Sequence, residues 1–289
     1  MNKNKSMLTF NLQLFADGDH EQQERYSSLV DLKLRDTLVQ KDGVVWNNRY
    51  EGTPTAGAVK IPVRDTEVAI GAYDKKNGAA KTHGATSYLT VVIDKDYAVN
   101  ELIDGYDAAA VPDNLVADRL DSAGYSMAVQ MNTDSTTELV AGGTAMGDTA
   151  ALTKETVYAS FVSARTQLSK SKIPTQNRWA LVSPDVYALL LQCEEFVRAT
   201  ALGDAVVQSG AVGRIAGFTV FEDNTLPTNV DYIVGHPDWC HRVKEWMVPV
   251  KLQSLNESGT YIGASAVQGR QVYAHKVSKK QAVLVKKNA

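Results

Sequence analysis

The densest set of potential metal donors is HPDWCH, where His236, His241 and the Cys240 thiol fall within six positions. Such donors suit zinc, but a structural zinc site takes four ligands, and the second half of a finger-like pattern is missing from the chain. A second candidate is GRIAGFTVFEDNTLP, Gly213 to Pro227, with two glycines four apart ahead of a short β-branched and aromatic run. Loops that cradle phosphate follow G-x-G-x-x-G or G-x-x-x-x-G-K-[ST]; Gly213 and Gly217 make neither, and the lysine is absent. Both are expected as structural glycines, permitting positive φ or close backbone approach, with FTVFE as a strand and DNTLP as a turn. His20, His83 and His275 stand apart from any cysteine. Neither G-x-S-x-G nor H-E-x-x-H occurs, and the acidic residues are scattered over polar faces rather than paired. No catalytic residue, metal or cofactor is expected.

What must be positioned is therefore a shape. At 289 residues the chain can bury a substantial core and make one or two domains. A hydrophobic content of 44% with 22% charged residues is ordinary for a globular protein, and a net charge of −3 supplies no broad basic field for nucleic acid, so any DNA contact would be local. Cys193 and Cys240 are too few for a disulfide framework and read as packed thiols in a reducing compartment. The N-terminal MNKNKSMLTFNLQLFADG superficially resembles a secretion signal, with Lys3 and Lys5 before an apolar stretch, but Asn11 and Gln13 interrupt it. No run approaches the ~18 apolar residues of a membrane span. A soluble protein of the cytoplasm, without a membrane partner, is expected.

Leu8, Phe10, Leu12 and Leu14 alternate with polar residues at the period of a half-buried strand. The following segment, to Gln40, offers no hairpin mate, so this is either an arm that docks on a distant sheet or another subunit, or the first strand of the main domain. VKIPVRDTEVAI and SYLTVVID read as two strands, with Pro62 marking an edge. Between them a solvated tip carries Gly71, Gly78, Gly84, Lys75, Lys76 and Lys81. Twelve extended residues from Val59 to Ile70 would reach roughly 40 Å, so the hairpin projects. A lone hairpin is marginal in water, and a long one is best explained by lying on a neighbour.

Past Asp107 the period becomes helical. Pro112 suits a first turn, and Val116, Leu120, Ala123, Met127 and Met131 share one face, predicting a long helix over 114–131. The polar, glycine-bearing run Asn132 to Asp148 is expected to stop it and to mark a boundary. A second helix is expected from Thr153, with Val157, Phe161, Ala164 and Leu168 inward and Pro174 beyond its end. RWALVSPDVYALLLQCEEFV reads as a strand, Trp179 to Val182, then a helix capped by Ser183 with Pro184 first and Asp185 at its positive end. Leu189, Leu190, Cys193 and Val197 should form its buried face. Strands follow in DYIVG, QVYAHKV and QAVLVKK. The C-terminal lysines Lys276, Lys279, Lys280, Lys286 and Lys287 are read as protecting an edge strand in preference to neutralising DNA phosphate. The fold class is α+β.

In this order, LVSPDVYALLL, a spacer and GRIAGFTVFEDNTLP resemble the paired segments of major capsid (coat) proteins of tailed double-stranded-DNA bacteriophages, with the Hong Kong 97-type capsid fold. The N-terminal LTFNLQLFAD is similar to the start of many such coat proteins. The resemblance implies an N-terminal arm over residues 1–50, an extended β-hairpin loop over 51–96, a peripheral domain with a spine helix over 97–175, an axial domain over 176–250 and return strands over 251–289. It implies self-assembly into hexamers and pentamers of an icosahedral head in the virion, assembled in the bacterial host cytoplasm. The implied partners are a separate scaffolding protein, a portal protein and double-stranded DNA held by non-specific contacts. The inter-subunit contacts it implies include Leu8, Phe10, Leu12, Leu14, Lys75, Lys76 and Lys81; crosslinking chemistry is not carried over to these lysines. The alternatives are an encapsulin-like nanocompartment shell of the same fold or a cytosolic enzyme of unknown reaction.

Overall fold

A computed structural model of the chain describes residues 38–49, 57–63, 67–68, 70–76, 78, 86–105, 115–193, 213–256 and 260–288. All lie in one compact unit, Leu34–Ala289. No described helix is long and apolar enough to cross a membrane.

The central element is β5, Trp179–Val182, four consecutive apolar residues that are all buried. A strand covered on both faces reads as a continuous apolar run, and the two faces of β5 enter different cores. Ala180 and Val182 pack with Phe161, Leu168, Val186, Leu190 and Phe218. Trp179 and Leu181 pack with Val45, Trp46, Leu139 and Phe221. β5 pairs in parallel with β7 (Phe218–Glu222) and antiparallel with β8 (Val230–Gly235). The six-stranded sheet is completed by β6 (Gly213–Ile215), β11 (Val283–Lys287) and the two-residue β4 (Thr144–Ala145), in the order β4-β11-β8-β5-β7-β6.

One face of this sheet is covered by two helices. α2, Val157–Lys170, buries Val157, Phe161, Ala164 and Leu168 as their spacing predicts, and Phe161 stacks on Tyr232 of β8 at 4.4 Å. It starts at Val157 rather than Thr153, because Thr153 and Thr156 form a capping turn in which the Thr156 hydroxyl accepts the Thr153 N–H. At its end the buried Arg178 guanidinium donates to the carbonyls of Pro174 and Ile173, both at 2.7 Å, and of Arg165 at 3.3 Å. Carbonyls at a helix C-terminus thus neutralise a cation that has no carboxylate partner among the described residues. α3, Pro184–Leu191, starts as expected: the Ser183 side chain accepts the Val186 N–H, Pro184 is first, and Asp185 lies in the first turn. Val186, Leu190 and Cys193 are buried and Leu189 is half-buried; Val197 lies outside the described residues.

The opposite face is covered by α1 and by residues 38–49. α1 runs from Leu115 to Gly142, eleven residues past the predicted stop at Met131. In the run Asn132 to Gly142 the serine and threonine hydroxyls are satisfied within the turn or by a buried partner, while the buried Asn132 Nδ2 has no partner among the described residues. The hydroxyls of Thr133, Thr136 and Thr137 donate to carbonyls four residues back. Ser135 and Thr136 are buried around the Gln40 carboxamide, which donates to Thr136 Oγ1 and, at 2.7 Å, to Asp223 Oδ2, and accepts from Ser135 Oγ and Trp46 Nε1. Each of these contacts links residues far apart in sequence, except the one to Trp46, so the sequence read locally sees only a turn-like run of Thr and Ser. The helix stops where Gly143 meets the sheet; a Cβ there would lie 2.8 Å from the Leu139 carbonyl and 2.9 Å from Val285 Cγ2.

The other end of α1 packs Val116, Leu120 and Ala123 on a three-stranded sheet, β3-β10-β9. β3 is Lys95–Ile103, β9 Cys240–Ser254 and β10 Ser265–Val277. Tyr273 of β10 donates to Asp134 of α1 at 2.7 Å. The register of β9 on β10 shifts around Arg270, opposite the segment that contains Pro249, as a residue without an N–H requires on an edge strand.

Residues 38–49, the last part of the segment assigned to an arm, are built into this body. Val45 and Trp46 are fully buried, and Asn47 exchanges backbone hydrogen bonds with Cys240 and Arg242 at the start of β9.

Gln40→Leu removes the shared partner of Asp223, Ser135, Thr136 and Trp46 and is expected to cost about 3 kcal/mol, the scale for buried polar groups left unpaired; an unchanged urea midpoint would rule the network out as a source of stability. The β6–β7 turn places Ala216 at φ +45° and Gly217 at φ +85°, a two-residue hairpin turn with positive φ at both positions. Gly217→Ala is expected to lower stability by about 1–2 kcal/mol, and Ala216→Gly to raise it, in the same denaturation experiment.

Candidate functional site

The HPDWCH donors are each engaged separately. His236 caps a 3-10 turn, Pro237–Trp239, its Nδ1 accepting the Asp238 N–H at 3.2 Å. The Cys240 thiol is fully buried and donates to the His236 carbonyl at 3.6 Å. His241 Nδ1 lies 3.0 Å from Asn47 Oδ1. Because Asn47 Nδ2 donates to the Pro237 carbonyl, its Oδ1 is the acceptor and His241 carries its proton on Nδ1. Among the described residues no group of three or more His, Cys, Asp or Glu is placed to hold a metal. Burial lowers the His241 pKa to about 4, with Arg49 adding to the effect. His275 is held near 2, first by burial and then by Arg242, Lys95 and Lys244; its Nε2 accepts from Arg242 Nε at 2.9 Å.

Of the two glycines only Gly217 has a positive φ. Gly217 makes the β6–β7 turn, and Gly213 opens β6 opposite Val220. One surface is unusual.

β1, Ala58–Val63, pairs antiparallel with β2, Ser87–Val92, as SYLTVV and VKIPV predict, with Pro62 opposite Tyr88. The strand is shorter than expected: it ends at Val63, and residues 67–68 and 70–73 are not in a strand. Glu67 and Val68 do not continue the pairing, so alternation alone overestimated the ladder. The two faces of the ribbon differ. Ile61 and Val91, flanked by Val59, Leu89 and Ile93, pack on Ala274 of β10. The other face carries Pro62, Tyr88 and Val92 to solvent, with Tyr88 67% and Val92 60% exposed. Beyond it Val68, Ile70 and Tyr73 are at least three-quarters exposed. Lys75 and Lys76 are exposed in a turn closed by Asp74, whose backbone exchanges two hydrogen bonds with Gly78 and whose carboxylate accepts the Lys76 N–H at 2.8 Å. Leu8, Phe10, Leu12, Leu14 and Lys81 lie outside the described residues.

The C-terminal lysines do not protect an edge. β10 lies between β3 and β9, and β11 is flanked by β4 and β8. Lys276 pairs with Glu138 at 3.2 Å, and Lys286, with no exposed side-chain surface, pairs with Asp148 at 3.1 Å and donates to its carbonyl at 2.7 Å. The covering strands are distant in sequence, and one of them is only two residues long, so the local reading missed them. Also unforeseen was a cleft of about 510 Å³ at the start of α3, lined by Asp185 and Asp231.

Residues 102–284 match the family of phage capsid proteins, more than half of the chain, and the chain belongs to that family. It is a structural protein, a major capsid protein, and its place is in the multimeric capsid shell of a virion. No curated protein matches the sequence. Among solved structures it is similar to one from Mycobacterium phage Che8, at 21% identity and TM-score 0.72, over 93% of this chain and 98% of that one. It is also similar to the capsid of cyanophage P-SCSP1u, at 13% identity and TM-score 0.74 over 92% of each chain. A third likeness is to the mature capsid of bacteriophage PhiM1, at 14% identity and TM-score 0.66, over 92% of this chain and 91% of that one. These likenesses establish the α+β, Hong Kong 97-type capsid fold.

His241 and His275 are neutral when folded, with pKa values below the ~6.5 of an unfolded chain. The unfolded chain then binds more protons below pH 6.5, so stability falls as pH drops through that value, until about pH 4 for His241 and about pH 2 for His275. The subunit melting temperature is expected to fall between pH 7 and pH 5, less steeply in His241→Gln; a flat profile would contradict neutral burial.

Proposed function

We propose that the chain self-assembles into hexamers and pentamers of an icosahedral phage head enclosing double-stranded DNA. The β1–β2 hairpin reaches a neighbouring subunit. Residues 51–96 serve as the extended loop, 97–175 and 251–289 as the peripheral domain and 176–250 as the axial domain. The observation that carries this reading is the two-faced hairpin: one face is fixed to β10, the other presents Pro62, Tyr88 and Val92, uncovered by the described residues. A two-stranded ribbon gains independent stability only when its face is covered, and covering each large apolar side chain contributes about 1.5–3 kcal/mol. Repeated around a closed ring, such modest contacts add up to a stable shell.

Assembly in the host cytoplasm with a separate scaffolding protein and a portal protein follows from the same reading, as does non-specific contact with packaged DNA. No catalytic role is assigned to any residue.

Electron microscopy of the chain expressed with and without its neighbouring phage genes is expected to show closed particles or capsomers when scaffold is present. Tyr88→Ser with Val92→Ser should leave subunit melting unchanged and abolish them. Monomers alone under every condition would overturn the assembly reading.

A further inference from the structure

We propose that the cleft at the start of α3 receives the hairpin tip of a neighbouring copy, with Asp185 and Asp231 meeting Lys75 and Lys76. This rests on the assembly reading above and adds the acceptor that it lacks.

The cleft holds about 510 Å³ between the first turn of α3 and the Asn224–Asp231 segment, and its only charged lining residues are the two aspartates. Asp231 is 8% exposed; its Oδ1 accepts from Asn288 Nδ2 at 3.0 Å, while its buried Oδ2 has no hydrogen-bond partner among the described residues. A buried carboxylate oxygen without a donor is costly and uncommon. In the sheet register Asp231 lies between the partners of Lys286 and Lys287; Lys286 acts on it only through charge while bonded to Asp148, and neither lysine donates to Oδ2. Burial raises the Asp231 pKa against the opposing effects of the Asn288 hydrogen bond and of Lys286, and Asp185 adds to the rise, so a cation entering the cleft would favour the charged form. Leu152, Leu189 and Leu226 give the cleft an apolar wall.

The tip has the complementary chemistry. Lys75 and Lys76 are exposed beside Tyr73 and Ile70, the latter 98% exposed, and neither lysine has an ion pair among the described residues. The exposed tip is not seated in its own subunit's cleft. A shell presents neighbouring copies at high effective concentration, and opposite charges brought together out of water fix register more than they add affinity.

The test uses the full chain co-expressed with its scaffold, counting closed shells by electron microscopy and checking each soluble subunit by thermal melting. K75E/K76E with unchanged melting, and D185K with melting lowered by no more than a few degrees from its place in the first turn of α3, are each expected to lower the shell yield at least ten-fold, and the combination to recover at least half of the wild-type yield. D231N, nearly isosteric, should lower the yield several-fold. Wild-type yields from both D185K and D231N would overturn the cleft assignment, as would a combination no better than either parent. If the wild-type chain itself forms no shells or capsomers, it is the assembly reading that falls.

Discussion

A single buried guanidinium joins the pieces on one side of this subunit. Arg242, 3% exposed at the beginning of β9, donates to the Gln40 carbonyl, the Asp42 carboxylate and His275, and its guanidinium lies 5.5 Å from the Trp46 ring. Taking such a charge out of water costs several kcal/mol unless its donors are met. Acceptors for Nε and Nη1 come from β10 and the 38–49 segment, while Nη2 has no partner among the described residues, so the charge is tolerable only when both pieces are in place. Burial works against the Asp42 charge, yet hydrogen bonds and charge from Lys244 and Arg242 hold its pKa below the ordinary value. The same geometry requires a neutral His275, which keeps an acceptor turned toward the arginine. Residues 38–49 are thereby an obligatory part of the body.

This explains what could be read from the sequence and what could not. The step from β5 into α3 was legible because every signal is local: four apolar residues, a serine cap, a proline that fits the first turn. The inward face of α2 was equally clear from spacing alone. The second half of α1 was not, since Ser135 and Thr136 are buried against Gln40 and Thr225, residues about ninety positions away on either side. The lysines of β10 and β11 failed for the same reason. A strand's place in its sheet is a fact about partners, and β3 and β4 lie far from them in the chain.

The assembly surface was half legible. Alternation around Pro62 gave the hairpin and its edge character, and composition gave a solvated tip. Which face looks outward depends on Ala274, nearly two hundred positions away, and the acidic cleft depends on a convergence of loops that no motif announces. The donors that first suggested metal chemistry have instead become caps and core links, each held by its own hydrogen-bond partner.

The outward face of the hairpin has a further consequence, one of timing. Two strands whose outer edges are unpaired among the described residues, with Pro62, Tyr88 and Val92 exposed, are a template for indiscriminate pairing. A newly made subunit carries its means of assembly and its hazard on the same ribbon. Productive association and aggregation both accelerate with concentration, so the outcome turns on which neighbour arrives first. For such a chain, the rate at which correct partners are supplied matters as much as the strength with which they hold.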